Sequence, residues 1–262
     1  MGKITEALKK AAQERLNRLE KIDKGEDVNY QFVAKKTVDS KIDPRIVAFY
    51  EPRSPITEQY RALRTNLLSI KSNKLIKAIT ITSSTHSEGK TITAINLAIS
   101  MARDLNKKKI LLIDADLRRA KISRYLGFKN EIGLSNLISN GSKIDDALIN
   151  IGIDNLTILP AGSIPENPAE ILGSVRIKNL IALLRSKYDF IIFDTPPIIP
   201  VTDAGLLGAQ TDGVVMVIKA CRTQKGVVEH GEGMLKQAQA KILGYVLTNI
   251  QYHIPGYLYR YL

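Results

Sequence analysis

One loop in this sequence combines glycine, lysine and threonine at a spacing typical of phosphate binding. Gly89-Lys90-Thr91 follows the apolar run 78–82 and is the closing half of a P-loop, in which Ser84 stands where the motif has its first glycine. Backbone N–H groups of such a loop and of the next helix bind phosphate oxygens, Lys90 can reach the β and γ phosphates, and Thr91 can ligate Mg²⁺. The residues expected to bind ATP are Ser87, Glu88, Gly89, Lys90, Thr91 and Ile92.

Three aspartates follow two further apolar runs. Asp114 and Asp116 come after the run 110–113, and Asp194 comes after the run 190–193. A single aspartate at the end of a strand is usually a helix cap or a turn residue. Here the P-loop and both acidic motifs fall at the C-terminal ends of predicted strands, which is the edge where an open α/β sheet binds its ligands. The combination therefore indicates a nucleotide site.

The chemistry of phosphoryl transfer suggests a role for each of these polar side chains. Lys90 and Mg²⁺ neutralise the charge that develops on the transferred group. Thr91 and Asp194 are expected to hold the metal. Asp114 and Asp116 lie two residues apart, so their side chains share one face if the strand stays extended. One of the two can then coordinate the metal while the other accepts a proton from an incoming hydroxyl group.

Short apolar runs alternate with helical segments along the middle of the chain. The predicted strands are 78–82, 110–113, 156–159, 190–193, 214–218 and 244–247. The predicted helices are 55–70, which begins at the N-cap pair Ser54-Pro55, and 92–105, 168–187 and 225–241. Apolar strands separated by helices are typical of a sheet covered on both faces. We therefore expect a three-layer α/β fold of the P-loop NTPase type, with a mostly parallel central sheet and helices on both faces.

The two ends of the chain differ from this domain, which is expected over 45–250. Residues 3–22 have the apolar spacing of an amphipathic helix, and 23–44 are polar and aperiodic, as in a linker, so 1–44 form one N-terminal region. The tail 251–262 contains four of the ten tyrosines of the chain: Tyr252, Tyr257, Tyr259 and Tyr261.

Composition excludes several classes of protein. The single cysteine, Cys221, rules out a disulfide framework and favours a reducing compartment, and no apolar run approaches the roughly 20 residues that span a bilayer. We therefore expect a soluble, cytoplasmic protein. The net charge of +12 suits phosphates, acidic partners or an anionic membrane face. Its basic clusters are not interleaved with aromatic residues, so no nucleic-acid partner is expected.

These motifs resemble those of the bacterial tyrosine kinases of capsule and exopolysaccharide export. The matching segments are a Walker A at 84–91, a Walker A′ at Asp114-x-Asp116-x-Arg118, a Walker B at Asp194-x-x-Pro197, and the stretches 159–162, 167–172 and 201–204. The resemblance covers roughly 45–262 and implies an ATP-dependent protein-tyrosine kinase. It also implies that Asp114 is the base for the tyrosine hydroxyl and that Asp116 and Asp194 lie in the magnesium shell. Together with the chemistry above, this makes Lys90, Asp114 and Asp116 the expected catalytic residues, and Thr91, Asp116 and Asp194 the expected magnesium ligands.

The same resemblance implies an assembly and its partners. Glu58-x-x-Arg61-x-x-Arg64 matches an element that builds ring-shaped oligomers, although such a ridge on a helix is otherwise simply solvated. The tyrosine tail matches an autophosphorylated C-terminus, which a ring would place in a neighbour's site; the alternative is a terminal strand packed on the core. A separate transmembrane activator, a polysaccharide co-polymerase, would recruit the kinase to the inner face of the membrane, and a tyrosine phosphatase would reverse the reaction.

Two other functions remain open at this point. A switch ATPase of the kind used in chromosome partition and division-site placement shares the fold and most of the motifs, and it dimerises on ATP without phosphorylating protein. Such proteins have a lysine early in the P-loop, where this chain has Thr85. The second alternative is a scaffold that uses nucleotide only to build a ring, but it would not require Lys90 and all three aspartates.

Overall fold

A single parallel sheet forms the centre of the protein. A computed structural model describes residues 42–70, 75–129, 132–140 and 142–250, and within them six strands hydrogen-bond in the order β3-β2-β4-β1-β5-β6. The strands are β1 (Ala78–Ser83), β2 (Ile110–Asp114), β3 (Leu156–Leu159), β4 (Phe190–Asp194), β5 (Gly213–Lys219) and β6 (Ile242–Thr248). Each neighbouring pair is parallel. All six predicted strands are present, and their ends lie within two residues of the predicted bounds.

Helices cover both faces of this sheet. In chain order they are α1 (Val47–Tyr50), α2 (Pro55–Ser69), α3 (Lys90–Ala102), α4 (Ile122–Leu126), α5 (Leu134–Asn140), α6 (Ile144–Ala147), α7 (Pro168–Gly173), α8 (Val175–Lys187), α9 (Asp203–Gly208) and α10 (Lys225–Gln237). The predicted three-layer α/β fold is confirmed. None of the helices in the described ranges is long and apolar enough to cross a membrane.

Alternation along the strands creates two apolar layers and points the acidic residues to one side. Ile110 and Leu112 belong to the apolar cluster that contains the buried residues of α3, whereas Leu111 and Ile113 belong to the cluster that contains those of α8. Successive side chains of a strand point to opposite faces, so Asp114, at the end of β2, continues the phase of Leu112. Its carboxylate therefore lies on the α3 side of the sheet.

Local capping explains where two helices begin. The hydroxyl of Ser54 accepts a hydrogen bond from the backbone N–H of Thr57 at 3.2 Å, which confirms the predicted start of α2. The single helix predicted over 168–187 was wrong, because Ser174 adopts an extended conformation and splits it into α7 and α8. The Ser174 hydroxyl accepts from the N–H of Ile177 and so starts α8 as an N-cap.

Some predictions fall outside the described residues. The N-terminal helix over 3–22, nearly all of the linker and the tyrosines of the tail are among them. Within the described part, Ile42 was assigned to the linker, yet its side chain belongs to the main apolar cluster. The core therefore takes in residues that precede the predicted start of the domain at 45.

Candidate active site

The P-loop joins β1 to α3 and contains two residues with positive φ. Gly89 has a φ of 99° and Ser87 has a φ of 64°, and both values lie in the region that L-residues rarely occupy. A Cβ at Gly89 would also meet the Cγ2 atom of Thr248 at 3.3 Å. Ser84 is not among the described non-glycine residues with positive φ, so serine can replace the first glycine of the motif without backbone strain.

Residues far along the chain hold this loop in place. The Glu88 carboxylate accepts hydrogen bonds from the Thr85 N–H at 2.8 Å and from the Thr223 hydroxyl. The Thr248 hydroxyl donates to the backbone carbonyl of Glu88 at 2.7 Å. Sequence reasoning assigned Glu88 to nucleotide binding but missed Thr223 and Thr248, because neither belongs to a motif.

Strand register brings the acidic motifs together beneath the P-loop. In the pairing of β2 with β4, Asp114 lies directly opposite Asp194. Lys90 is the first residue of α3, and its Nζ lies 3.1 Å from Asp116 Oδ2 and 3.9 Å from Asp194 Oδ1. The Thr91 hydroxyl is 3.5 Å from the same Nζ. One lysine, one threonine and three aspartates thus share a single site.

Asp116 reaches the site by a different route from the one predicted. β2 ends at Asp114, so Asp116 lies in the loop that follows, where a shared strand face no longer applies. Its N–H donates to Asp114 Oδ1 at 3.2 Å, and its own Oδ1 accepts from the Arg119 N–H at 3.0 Å. A turn, and not an extended strand, directs the Asp116 carboxylate at Lys90.

The Asp114 carboxylate is buried and held by the backbone of that same loop. Besides the bond from Asp116, its Oδ2 accepts from the N–H groups of Lys121 and Ile122 at 3.1 and 3.0 Å. Burial and the negative charge of Asp194 raise the pKa of Asp114 to about 7, against the lowering effect of the Ile122 N–H and of Lys90. A carboxylate whose pKa lies near neutrality is suited to accept a proton at physiological pH.

Asp194 is a buried carboxylate without a well-formed hydrogen bond to the described residues. Its side chain is 0% exposed. Burial raises the pKa of Asp194 to about 6, although the Lys90 charge and the nearby Thr91 hydroxyl lower it. Burial also lowers the pKa of Lys90, but Asp194 and Asp116 outweigh this effect, so the pKa lies above its usual value and the ammonium stays charged.

The donor set fits a magnesium ion that is bound together with nucleotide. The buried Asp194 carboxylate has the Lys90 ammonium at 3.9 Å but no well-formed hydrogen bond to the described residues, so its oxygens are available to a bound cation beside Thr91. No group of three or more acidic, histidine or cysteine side chains in the described ranges could hold a metal alone. Magnesium does not need one, because it commonly takes one or two carboxylates and completes its shell with phosphate and water. Thr91, Asp116 and Asp194 would supply the protein's share.

A cavity of about 460 Å³ opens above these groups. All six residues predicted to bind ATP line it, together with Asp116 and with residues outside the motifs: Arg45, His86, Arg119, Lys121, Tyr125, Lys219, Thr248 and Asn249. Its cationic lining suits a polyphosphate. A larger cavity of about 570 Å³, which Lys109 and Tyr188 help to line, contains none of the motif residues.

Arg45 and Tyr125 form the outer wall of the nucleotide cavity. The Arg45 guanidinium lies 5.0 Å from the centre of the Tyr125 ring, and Asp43 accepts hydrogen bonds from it at 2.8 and 2.7 Å. Asn96 of α3 ties this segment down by donating to the Arg45 carbonyl at 3.2 Å. No sequence signal pointed to this pair, because Arg45 adjoins the predicted linker and Tyr125 lies on a short helix that was not predicted.

The three residues of the predicted oligomer interface lie on α2. Arg61 forms an ion pair with Glu58 and donates to the Pro52 carbonyl at 2.8 Å, so both charges are balanced within the subunit. Arg64 donates to the carbonyl of Ser100 in α3 at 2.8 Å. The helix also exposes two apolar side chains, Ile56 (40%) and Leu68 (42%).

Comparison with known proteins identifies the family. A family model described as an AAA domain matches residues 76–239. Tyrosine-protein kinase YwqD of Bacillus subtilis is 37% identical over 214 residues, which cover 82% of this chain and 90% of that protein. The chain belongs to the bacterial tyrosine kinase family. It is a nucleotide-binding protein-tyrosine kinase.

Solved structures of tyrosine kinases are also similar to this chain. The chimerical protein CapA2B2 is 35% identical, with a TM-score of 0.74 over 79% of this chain and 91% of the other. The kinase domain of the Escherichia coli tyrosine kinase ETK is 29% identical, with a TM-score of 0.77 over 82% and 84%. Tyrosine-protein kinase Wzc of Salmonella typhi is 32% identical over 81% of this kinase, but the match covers only 29% of Wzc.

A septum-site-determining protein resembles the kinase less closely. MinD of Pyrococcus horikoshii, solved with Mg-ADP, is 25% identical, with a TM-score of 0.55 over 66% of this chain and 70% of the other. This septum-site-determining protein therefore shares the fold, while the chains of higher identity and TM-score named above are tyrosine kinases or a chimera.

Proposed function

We propose that this kinase transfers the γ-phosphoryl group of Mg-ATP to the tyrosines of its own tail, Tyr252, Tyr257, Tyr259 and Tyr261. The observation that carries the proposal is the buried carboxylate of Asp194, which lies beside Lys90 and Thr91 without a well-formed hydrogen bond to the described residues. A site that only bound phosphate would gain nothing from this negative charge. A site that binds a metal with its phosphate requires it.

Each residue of the site has a defined task in this reaction. When bound, Mg²⁺ neutralises charge on the phosphates. Thr91, Asp116 and Asp194 would hold it, and Lys90 would supply a fixed positive charge to the same phosphates. The P-loop from Ser87 to Ile92 orients the nucleotide through its backbone. Asp114 accepts the proton of the tyrosine hydroxyl, which its raised pKa suits.

Intact-mass analysis after incubation with Mg-ATP tests this activity. We expect increments of one phosphate that map to residues 252–261 and are absent from Asp114→Ala. A variant with all four tail tyrosines changed to phenylalanine should bind ATP normally and gain no phosphate. Phosphate in that variant would place the acceptor elsewhere. ATP turnover without any phosphate transfer, even with a membrane activator present, would support the switch ATPase.

The tail is proposed to be phosphorylated in trans within a ring-like homo-oligomer built through Glu58, Arg61 and Arg64. Support comes from the position of these residues on α2, beside the exposed side chains of Ile56 and Leu68. In a ring their charges would exchange intramolecular partners for those of a neighbour. A tail that cannot reach its own site could then reach the next one.

Replacing both arginines is expected to disperse this assembly. Arg61→Ala with Arg64→Ala should convert the native-mass profile to monomer, because the neighbour's complementary charges lose their partners. Arg53→Ala, which changes an arginine just before α2, is the matched control and should leave the profile unchanged. An oligomer of wild-type size in the double variant would show that α2 does not build the interface.

The partners are proposed from the family. A separate transmembrane co-polymerase would recruit this cytoplasmic kinase to the inner face of the membrane and activate it, and a tyrosine phosphatase would remove the tail phosphates. The regulated process would be the synthesis and export of capsular or extracellular polysaccharide.

A further inference from the structure

An ion pair joins two family motifs to which the proposed reaction gives no role. Arg118 ends the Asp-x-Asp-x-Arg motif, and Asp203 lies in the segment 201–204. Arg118 Nε lies 2.9 Å from Asp203 Oδ2, and Arg118 Nη2 lies 3.0 Å from Asp203 Oδ1. This is the bidentate fork that arginine makes with a carboxylate. We infer that Arg118 and Asp203 are positioning residues, which fix the loop that carries Asp116.

Asp203 is the buried partner in this ion pair. It is the first residue of α9, and its side chain is 0% exposed. The following residues of the same helix, Ala204 and Leu207, are completely buried in the apolar core. Arg118 is the exposed side of the contact, with 37% of its side chain accessible on the loop between β2 and α4. The pair therefore fastens a surface loop to the core.

The fastened loop is the one that aims Asp116 at Lys90. The backbone N–H of Arg119, next to Arg118, donates a hydrogen bond to Asp116 Oδ1. Asp116 Oδ2 accepts a hydrogen bond from Lys90 Nζ at 3.1 Å. Any drift of the turn at Arg118 therefore moves the Asp116 carboxylate. A displacement of about 1 Å in a catalytic constellation can reduce the rate roughly a hundredfold.

The ion pair of Arg118 with Asp203 also completes a set of contacts that connects three segments around the site. The segment that leads from β4 to α9 is bonded to the base of the P-loop, because the N–H of Ile198 donates to the Ser83 carbonyl at 2.9 Å and that of Ile199 donates to the Ser84 carbonyl at 3.3 Å. Asp203 follows on this segment. Hydrogen bonds thus connect the P-loop to the Walker B segment, and the ion pair of Arg118 with Asp203 connects that segment to the Walker A′ loop.

A second ion pair supplies a matched control. Arg185 and Asp212 form the same bidentate geometry, at 2.9 and 3.0 Å, where Asp212 also accepts the N–H groups of Lys77 and Ala78 at the N-terminal edge of β1. Both pairs should stabilise the fold. Only the Arg118 pair lies beside the groups that bind Mg-ATP.

The test compares Arg118→Lys with Arg185→Lys in the full chain. Lysine keeps the charge but loses the fork, so both variants should unfold at somewhat lower temperatures than wild type. We expect Arg118→Lys alone to lower kcat about 10- to 100-fold and to raise the Mg²⁺ concentration that gives half the maximal rate. Arg185→Lys should keep kcat within about twofold of wild type.

Equal effects of the two lysine variants on kcat and on the Mg²⁺ requirement would overturn the inference and leave a purely structural ion pair. If Arg118→Lys does not fold, the double variant Asp203→Asn with Arg118→Gln removes both charges of the pair together. It is compared with the double variant Arg185→Gln with Asp212→Asn. The inference rests on the proposed role of Asp116. If Asp116→Asn leaves the rate unchanged, that role fails. If Asp116→Asn abolishes activity but Arg118→Lys does not reduce it, only the positioning role fails.

Discussion

Lys90→Met should abolish tyrosine phosphorylation, with a loss of roughly a thousandfold or more in kcat. The Lys90 ammonium is nearly buried and lies between Asp116 and Asp194, and these carboxylates keep it protonated across the physiological pH range. Methionine fills a similar volume without the charge, so the charge that develops on the phosphoryl group loses its fixed partner. Phosphate incorporation from Mg-ATP, measured over time by mass spectrometry, reports the effect.

Lys187→Met provides the control for this variant. Lys187 is an exposed residue at the end of α8, at the edge of the sheet opposite the P-loop, and its loss should leave the rate near that of wild type. Removal of Lys90 also leaves three aspartates without their cation, so the unfolding temperature of the variant should be measured as well. A folded Lys90→Met protein that incorporates phosphate at the wild-type rate would remove the P-loop lysine from the proposed mechanism.

Asp194→Asn should produce opposite changes in stability and activity. Asparagine has nearly the shape of aspartate but cannot hold a metal as a charged ligand, so we expect a loss of activity of at least about a hundredfold. Without metal, the same change removes a buried negative charge whose raised pKa shows that burial outweighs the stabilising effect of Lys90 and Thr91. The metal-free variant should therefore unfold at a higher temperature than wild type at pH 8, by several degrees, since about 1 kcal/mol corresponds to roughly 2–4 °C in a domain of this size.

The pH dependence of this difference follows from the pKa values of the pair. Folding raises the pKa of Asp194 to about 6 and that of Asp114 to about 7, both from 3.8, so between roughly pH 4 and pH 7 the folded state binds more protons than the unfolded state. The contribution of these groups to the free energy of unfolding therefore falls as pH rises through that window. At pH 5 Asp194 is mostly protonated and resembles asparagine, and the two proteins should unfold at similar temperatures.

Addition of Mg-ATP tests whether the Asp194 carboxylate contributes to metal binding as well as to the stability of the metal-free protein. It should raise the unfolding temperature of wild type strongly, because ligand binding stabilises the folded state, and it should raise that of Asp194→Asn much less. Asp154→Asn, which changes an exposed aspartate, should follow wild type at every pH. If metal-free Asp194→Asn is less stable than wild type at pH 8, the carboxylate stabilises the metal-free fold. That result would contradict the proposal that Asp194 serves mainly to bind a cation.

Much of the fold and of the site could be predicted because the signals are local. Apolar runs predicted the six strands to within two residues. Ser54 predicted the start of α2 through its own hydroxyl, and Lys90, Asp114 and Asp194 were placed at the correct sheet edge because each follows a strand of a parallel sheet. These inferences need only propensities, periodicity and the rule that parallel strands end at one edge.

Other features depended on contacts between residues that are distant in the chain. Thr248 bonds to the P-loop across 160 positions, and Arg118 reaches Asp203 across 85. Asp116 was expected on a strand, but the strand ends two residues earlier and a turn directs its side chain. No local pattern encodes such partners, because either residue alone has many possible contacts and only the packing of the sheet selects one.

The amino-acid sequence by itself determined the family, the phosphate loop and the set of acidic residues, since covalent spacing carries each of them. The tertiary structure decided how they act together: register placed Asp114 opposite Asp194, burial removed water from both, and Lys90 came within 3.9 Å of Asp194. The raised pKa values of the two aspartates exist only in this arrangement. A carboxylate in an unfolded chain is hydrated and ionises near its usual pKa, and only a folded core can withdraw that water and leave a buried charge beside Lys90.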